Sequence, residues 1–419
     1  MSNAFKAADI LLPHNIEMEK WSVVACDQYT SEPEYWEKTE QIVGNAPSTL
    51  RLILPEVYLE SDNVDARIAD IHKNMDKYLA DNIFDEYKNA MIYVERTTAD
   101  GVRAGIVGAI DLEEYDYRKG SKSSVRATEA TVVERIPPRI KVRNGAPLEL
   151  PHIMILIDDA KRTVIEKLSA KKDTLKKVYD FELMQGGGHI AGYLLGEGDI
   201  AEVTAALDAL GNADEFNAKY GLKNEPVMLY AMGDGNHSLA TAKEYYEQLK
   251  RENPDKDMSA HPARYALAEI VNLHSDALRF EAIHRIVTGV DVKKLLAALK
   301  AALETSENGS GQSFVVVNGS TTETLYVGKP TSNLTVGSLQ QFLDAYVKEN
   351  GGKIDYIHGE DVIRKLAKAD DAVGFLLPDM GKEELFPTVI KDGALPRKTF
   401  SMGHAQDKRF YTEARRINA

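Results

Sequence analysis

The sequence predicts a mixed α/β protein with one large domain and a smaller α-β-β-α-β unit beyond it. Three observations carry this reading. Segments with apolar residues at helical spacing alternate with short β-rich runs along most of the chain. At 419 residues, 43% hydrophobic and 28% charged, the chain exceeds the roughly 100 to 200 residues of an ordinary domain. After about Thr288 the texture changes, with a helix and a hairpin separated by the polar, Gly-rich ENGSGQ.

In chain order, SEPEYWEKTEQIV starts a helix near Glu32, and residues 64–79 form another, with Ile68, Ile71, Met75 and Leu79 on one stripe. NAMIYVERT and GVRAGIVGAIDL flank the turn Thr98 to Gly101 and read as a hairpin. The stretch SSVRATEATVVERIPPRIKVRNG is expected to be an Arg-dense loop, because Pro137 and Pro138 oppose a continuous helix. LELPHIMIL at 148–156 is a further apolar run, and 162–179 reads as a charged, solvated helix. A Gly triplet at 186–188 and a helix over 200–210 precede PVMLYAM, which runs into Gly233-Asp234-Gly235-Asn236-His237-Ser238. A helix at 292–303, a hairpin turning near Asn318-Gly319, a helix around 338–350 and a strand near Ile354 complete the smaller unit. The expected division is 1–288, 289–359, and a C-terminal segment 360–419 packing back on the first part.

Charge excludes some functions. Lys plus Arg is 51 and Asp plus Glu 65, so 51 − 65 leaves −14, which opposes a broad nucleic-acid footprint while allowing a local anion site. The single cysteine, Cys26, excludes an intrachain disulfide framework and reads as a small buried apolar residue. The N-terminus lacks a signal pattern and nothing approaches ~18 uninterrupted apolar residues, so a cytoplasmic protein without a membrane partner is expected. The oligomeric state stays open, a homodimer included.

The strongest local signal is the strand-turn-helix around GDGNHS. Leu239, Ala242, Tyr246 and Leu249 set the helix stripe, so the helix starts at the turn and points its free N–H groups and dipole there. Gly233 and Gly235 allow backbone approach, His237 offers a hydrogen bond to phosphate, and Asp234 can orient a hydroxyl, accept its proton or hold a metal. The plainer alternative is a structural turn in which Asn236 or Ser238 caps the helix. Neither a P-loop nor a Rossmann fingerprint is present. The scattered histidines contain no H-x-x-x-H pair, so no preformed metal site is expected. Arg126 and Glu129 in RATEAT can equally form a surface ion pair.

Together these elements resemble the domain-of-unknown-function family 1015. MGDGNHSLATAKEYY is similar to its ADGHHR-type turn and helix, FEAIHRIV with His284 and Arg285 to its P-x-HR element, and GALPRKTFS with Pro396, Lys398 and Thr399 to its C-terminal G-x-x-x-P-x-K-S-T. RATEAT, with Arg126, Glu129 and Thr131, matches an HE-x-T element more loosely. The turn is also similar to that of the ParB/sulfiredoxin-like superfamily, which includes kinases of free serine. Two departures stand out: Ser238 replaces the motif arginine, and Thr128-Glu129 replaces the HE pair.

The resemblance implies a ParB/sulfiredoxin-like core and a nucleotide-dependent phosphotransferase acting on a small hydroxylated metabolite, with free serine as the specific expectation. ATP or ADP with Mg2+ would be the cofactor. Gly233, Gly235, Asn236, His237, Ser238, Arg126, Arg285, Arg397, Lys398 and Thr399 would bind it, and Asp234, Glu129 and His237 would act in catalysis. A non-catalytic nucleotide or phosphate sensor and a metal-dependent phosphoesterase are the alternatives.

Overall fold

The computed structural model describes residues 3–129 and 136–418. Thr131 of the RATEAT element lies outside them. The protein is a mixed α/β structure that divides into two compact units, Met1–Leu278 with Gly403–Ala419, and Arg279–Met402.

The first unit is built on a ten-stranded mixed sheet. Its strands are β1 (Phe5–Lys6), β2 (Ile92–Thr98), β3 (Gly101–Asp111), β4 (Tyr115–Asp116), β5 (Val125–Arg126), β6 (Met154–Ile157), β7 (Lys176–Leu183), β8 (Gly188–Leu194), β9 (Tyr230–Asp234) and β10 (Tyr265–Asn272). Their spatial order is β7-β8-β2-β3-β10-β6-β9-β5-β4, with β1 on β3. β6 runs parallel to β10 and antiparallel to β9, while β9 and β5 are parallel. Side chains alternate across the pleat: Ile106 and Ile110 of β3 enter one apolar cluster, Val107 and Ala109 the other. Both faces are therefore covered, which accounts for the nearly continuous apolar runs of β3, β6 and β10.

Helix α1 (Pro33–Val43) contributes Trp36 and Val43 to one cluster. Helix α2 (Val64–Ala80) buries Ile68, Ile71 and Met75, as its stripe predicts. Two expectations are corrected. Pro137 and Pro138 do not prevent a helix; they occupy the first turn of α3 (Ile136–Arg143), where a backbone N–H has no helical acceptor to lose. Residues 162–179 are not one helix. Only Glu166–Ser169 is α-helical, and β7 takes over from Lys176, because Tyr179, Phe181 and Leu183 alternate inward and pair with β8. Helix α4 (Asn236–Glu252) covers the other face through Leu239, Ala242 and Tyr246.

The C-terminal Gly403–Ala419 returns to this unit. Arg96 donates from Nε to the Gly187 carbonyl at 2.9 Å and from its two terminal nitrogens to the carbonyls of Gln406 at 2.8 Å and Lys408 at 3.2 Å. Arg103 Nη1 donates to the Asp407 carbonyl at 2.9 Å. Each guanidinium thus satisfies backbone acceptors that burial would otherwise leave orphaned.

The second unit holds a five-stranded sheet. Its strands are β11 (His284–Thr288), β12 (Ser313–Asn318), β13 (Thr321–Tyr326), β14 (Lys353–Ile357) and β15 (Ala372–Leu376), in the order β13-β12-β15-β11-β14. Helices α5 (Val292–Leu303) and α6 (Thr335–Asn350) lie in this unit, and the β12–β13 hairpin turns at Gly319 with φ 57°. The segment 289–359 lies wholly inside it, together with 279–288 and 360–402. No helix among the described residues is long and apolar enough to cross a membrane.

Candidate functional site

β9 ends at Asp234 and α4 begins at Asn236, so Gly235 alone turns the chain. Its φ of 78° is left-handed, and a β-carbon there would stand 3.1 Å from Ile153 Cα. Gly235→Ala is expected to cost about 1–2 kcal/mol, read as a lowered unfolding midpoint; an unchanged midpoint would show that the turn relaxes. No side chain caps α4, so neither Asn236 nor Ser238 plays the capping part. The first-turn N–H groups of this 17-residue helix face the turn with the positive end of its dipole.

Asp234 is half-buried, and its Oδ2 has no hydrogen-bond donor. The cation beside it is Lys408, with Nζ 3.6 Å away and a side chain 11% exposed. The Arg96 and Arg103 bonds to the carbonyls of Gln406, Asp407 and Lys408 hold it there. The next residue, Arg409, anchors the segment from beneath: Nε donates to Glu269 and Nη2 to Glu413, both at 2.8 Å, and Nη1 to the Pro151 carbonyl at 3.0 Å. Burial lowers the affinity of Arg103 for its proton and Arg409 adds to this, while Glu269, Asp407 and Asp234 oppose it.

His152, which follows Pro151, joins the turn to the C-terminal segment. Its Nε2 meets Ser238 Oγ at 2.7 Å and its Nδ1 meets the Tyr411 hydroxyl at 2.8 Å. The Tyr411 oxygen accepts the Cys26 N–H at 3.1 Å. Asp27 Oδ2 lies 3.9 Å from His152 Nε2. Burial opposes ionisation of Asp27, but His152, the Gln28 amide and Lys408 outweigh it and hold the carboxyl below its ordinary range. Burial pushes the Cys26 thiol well up, so the thiolate is disfavoured.

Around the same turn, Thr128 Oγ1 donates to the Met232 carbonyl at 2.8 Å, which sets the segment carrying Glu129 alongside β9. Arg126 is buried and spends its guanidinium on the carbonyls of Ser123 at 2.8 Å and Pro226 at 2.9 Å. The two distant motifs IHR and PRKT meet one another in the second unit. Buried Arg285 donates to Gln340 at 2.8 Å and to the carbonyls of Lys398 and Arg397, both at 2.9 Å. Arg397 pairs with Asp344 at 2.6 Å, and Thr399 Oγ1 donates to the Pro396 carbonyl at 2.6 Å. Among the described residues no group of three or more His, Cys, Asp or Glu side chains is arranged to hold a metal.

Asp27, His152, Lys408 and Tyr411 escaped the sequence reading. His152 sits inside an apolar run, and Lys408 and Tyr411 inside DKRFY, so only the dense charge of the C-terminal stretch marked it as more than a tail.

Over residues 9–346 the sequence matches the family model described as Protein of unknown function (DUF1015). No curated protein matches it. Among solved structures, a conserved hypothetical protein from Pyrococcus furiosus is similar at 12% identity and a TM-score of 0.36, over 74% of this chain and 95% of that one. A free serine kinase in complex with AMP is similar at 14% identity and a TM-score of 0.38, over 74% and 91%. SbnI with a C-terminal truncation, from Staphylococcus aureus, is similar at 9% identity and a TM-score of 0.36, over 71% and 82%.

Proposed function

Because the chain belongs to the family described as Protein of unknown function (DUF1015), we propose its activity from its own residues: a nucleotide-dependent phosphotransferase acting on a small hydroxylated metabolite. The observation that carries this reading is Asp234 Oδ2, a carboxylate oxygen without a donor, at a glycine-turned helix N-terminus with Lys408 beside it. A buried acceptor left unsatisfied costs about 1–3 kcal/mol, so its retention at such a turn fits a ligand hydroxyl or a nucleotide-bound cation.

The donor set fits phosphate. The first-turn N–H groups at Asn236, His237 and Ser238 would hold it, with Lys408 neutralising charge. A bound magnesium nucleotide would supply the phosphoryl group. Asp234 Oδ2 receives the acceptor hydroxyl's proton, and Glu129, on the segment beside β9, is the second candidate for that part. Positioning and charge stabilisation are what phosphoryl transfer chiefly demands, and a clamped lysine with an oriented carboxylate answers both.

Calorimetric titration with ATP, ADP and CTP, each with magnesium, tests the reading on the wild type and on the double variant Asp234→Ala, His237→Ala. Saturable binding by the wild type, weakened in the variant by loss of the His237 side-chain hydrogen bond to phosphate, is expected. Absence of binding by every nucleotide overturns the proposal. Binding without phosphoryl transfer to any alcohol in a panel headed by free serine would instead leave a nucleotide sensor.

A further inference from the structure

Next to the turn, on the far side of the His152–Ser238 bond, lies a cavity of about 150 Å³. Its walls are chiefly apolar: Leu54, Met75, Ala146, Leu148, Leu150 and Leu267. These residues come from the segment between α1 and α2, from α2, from the chain after α3 and from β10, so the cavity belongs to the first unit. A cavity of roughly this volume lined by apolar side chains accommodates a benzene-sized group.

The polar lining decides what else the ligand carries. Each cation in the wall is matched by a carboxylate in the same wall: Arg139 by Glu56, and Arg143 by Glu149 at 2.5 Å. Arg415 Nε also donates to Glu149 at 2.8 Å. Glu149 is thus shared by two arginines and Arg143 Nε has no acceptor, so the wall offers no free carboxylate for a ligand ammonium. At the turn end stand His152 and Ser238. The Ser238 hydroxyl and His152 Nε2 share a hydrogen bond of 2.7 Å whose direction follows the ring tautomer. The Ser238 hydroxyl both donates and accepts, so it has a further place for a ligand hydroxyl.

We infer that this cavity binds the apolar body of the acceptor, and that the acceptor is an alcohol with a body of about six carbons, its hydroxyl held at Ser238 on the turn side. The inference rests on the phosphotransferase reading for the fate of that hydroxyl, and on the cavity alone for its binding. Free serine finds no free carboxylate for its ammonium here and leaves most of the apolar wall empty.

Calorimetry with benzyl alcohol and with free serine, on the protein with and without magnesium ATP, decides it. Saturable binding of benzyl alcohol, weakened at least tenfold by Ala146→Leu with nucleotide affinity unchanged, is the expected result. Leu148→Ala enlarges the same cavity and is expected to shift preference toward 2-phenylethanol, so the test survives if the filled variant fails to fold. Nucleotide binding with serine bound and benzyl alcohol ignored would overturn this inference alone. Benzyl alcohol binding without any nucleotide binding would overturn the phosphotransferase reading and leave the cavity assignment standing.

Discussion

Arg409→Met is expected to destabilise the first unit by about 3–5 kcal/mol, the cost of stranding a buried charge. Arg409 is 3% exposed, and its partners Glu269 and Glu413 are 3% and 0% exposed at their side chains. Removing the guanidinium strands two carboxylates that water does not reach, and it also releases the Pro151 carbonyl. Tyr179, whose hydroxyl donates to Glu413 at 2.5 Å, satisfies only one of the oxygens. The loss is read as a shift in the urea midpoint of the first unit. The triple variant Arg409→Met, Glu269→Gln, Glu413→Gln removes all three charges at similar shape and is expected to recover more than half of it, since a neutralised buried triad no longer carries the desolvation cost. A shift below about 1 kcal/mol in Arg409→Met would place this group in the range of exposed ion pairs and contradict its burial.

Asp234→Asn is expected to lower phosphoryl transfer by about a hundredfold to ten-thousandfold, the usual contribution of a positioned general base, with the circular dichroism spectrum and thermal midpoint unchanged. The amide keeps the shape of the carboxylate and loses its ability to take a proton. The loss should fall on kcat rather than on KM for the nucleotide, because phosphate contacts are assigned to the helix N-terminus and Lys408. Full activity in this variant would remove Asp234 from the chemistry and pass the base to Glu129. A rise in nucleotide KM with kcat intact would make Asp234 a binding group.

How much of this was legible beforehand divides by range. The helix stripes of α2 and α4 and the hairpin β2–β3 are patterns within one segment, and the structure has them where period and turn residues place them. The proline pair at 137–138 was misread because its effect depends on position: at the first turn it starts a helix, and inside one it breaks it. Residues 176–183 have charges enough for a solvated helix, and only the neighbouring strand made their alternation decisive.

By itself the sequence determined a mixed α/β chain, the glycine turn at Gly235 and a helix aimed at it, since spacing and φ preference act over a few residues. It did not determine what faces that turn. Lys408 and Tyr411 reach Asp234 and His152 from the far end of the chain, held by Arg96, Arg103 and Arg409. Those side chains choose partners only once burial has removed water, when every charge and carbonyl must find a mate. Such pairing has no period along the chain, so tertiary structure alone decided it.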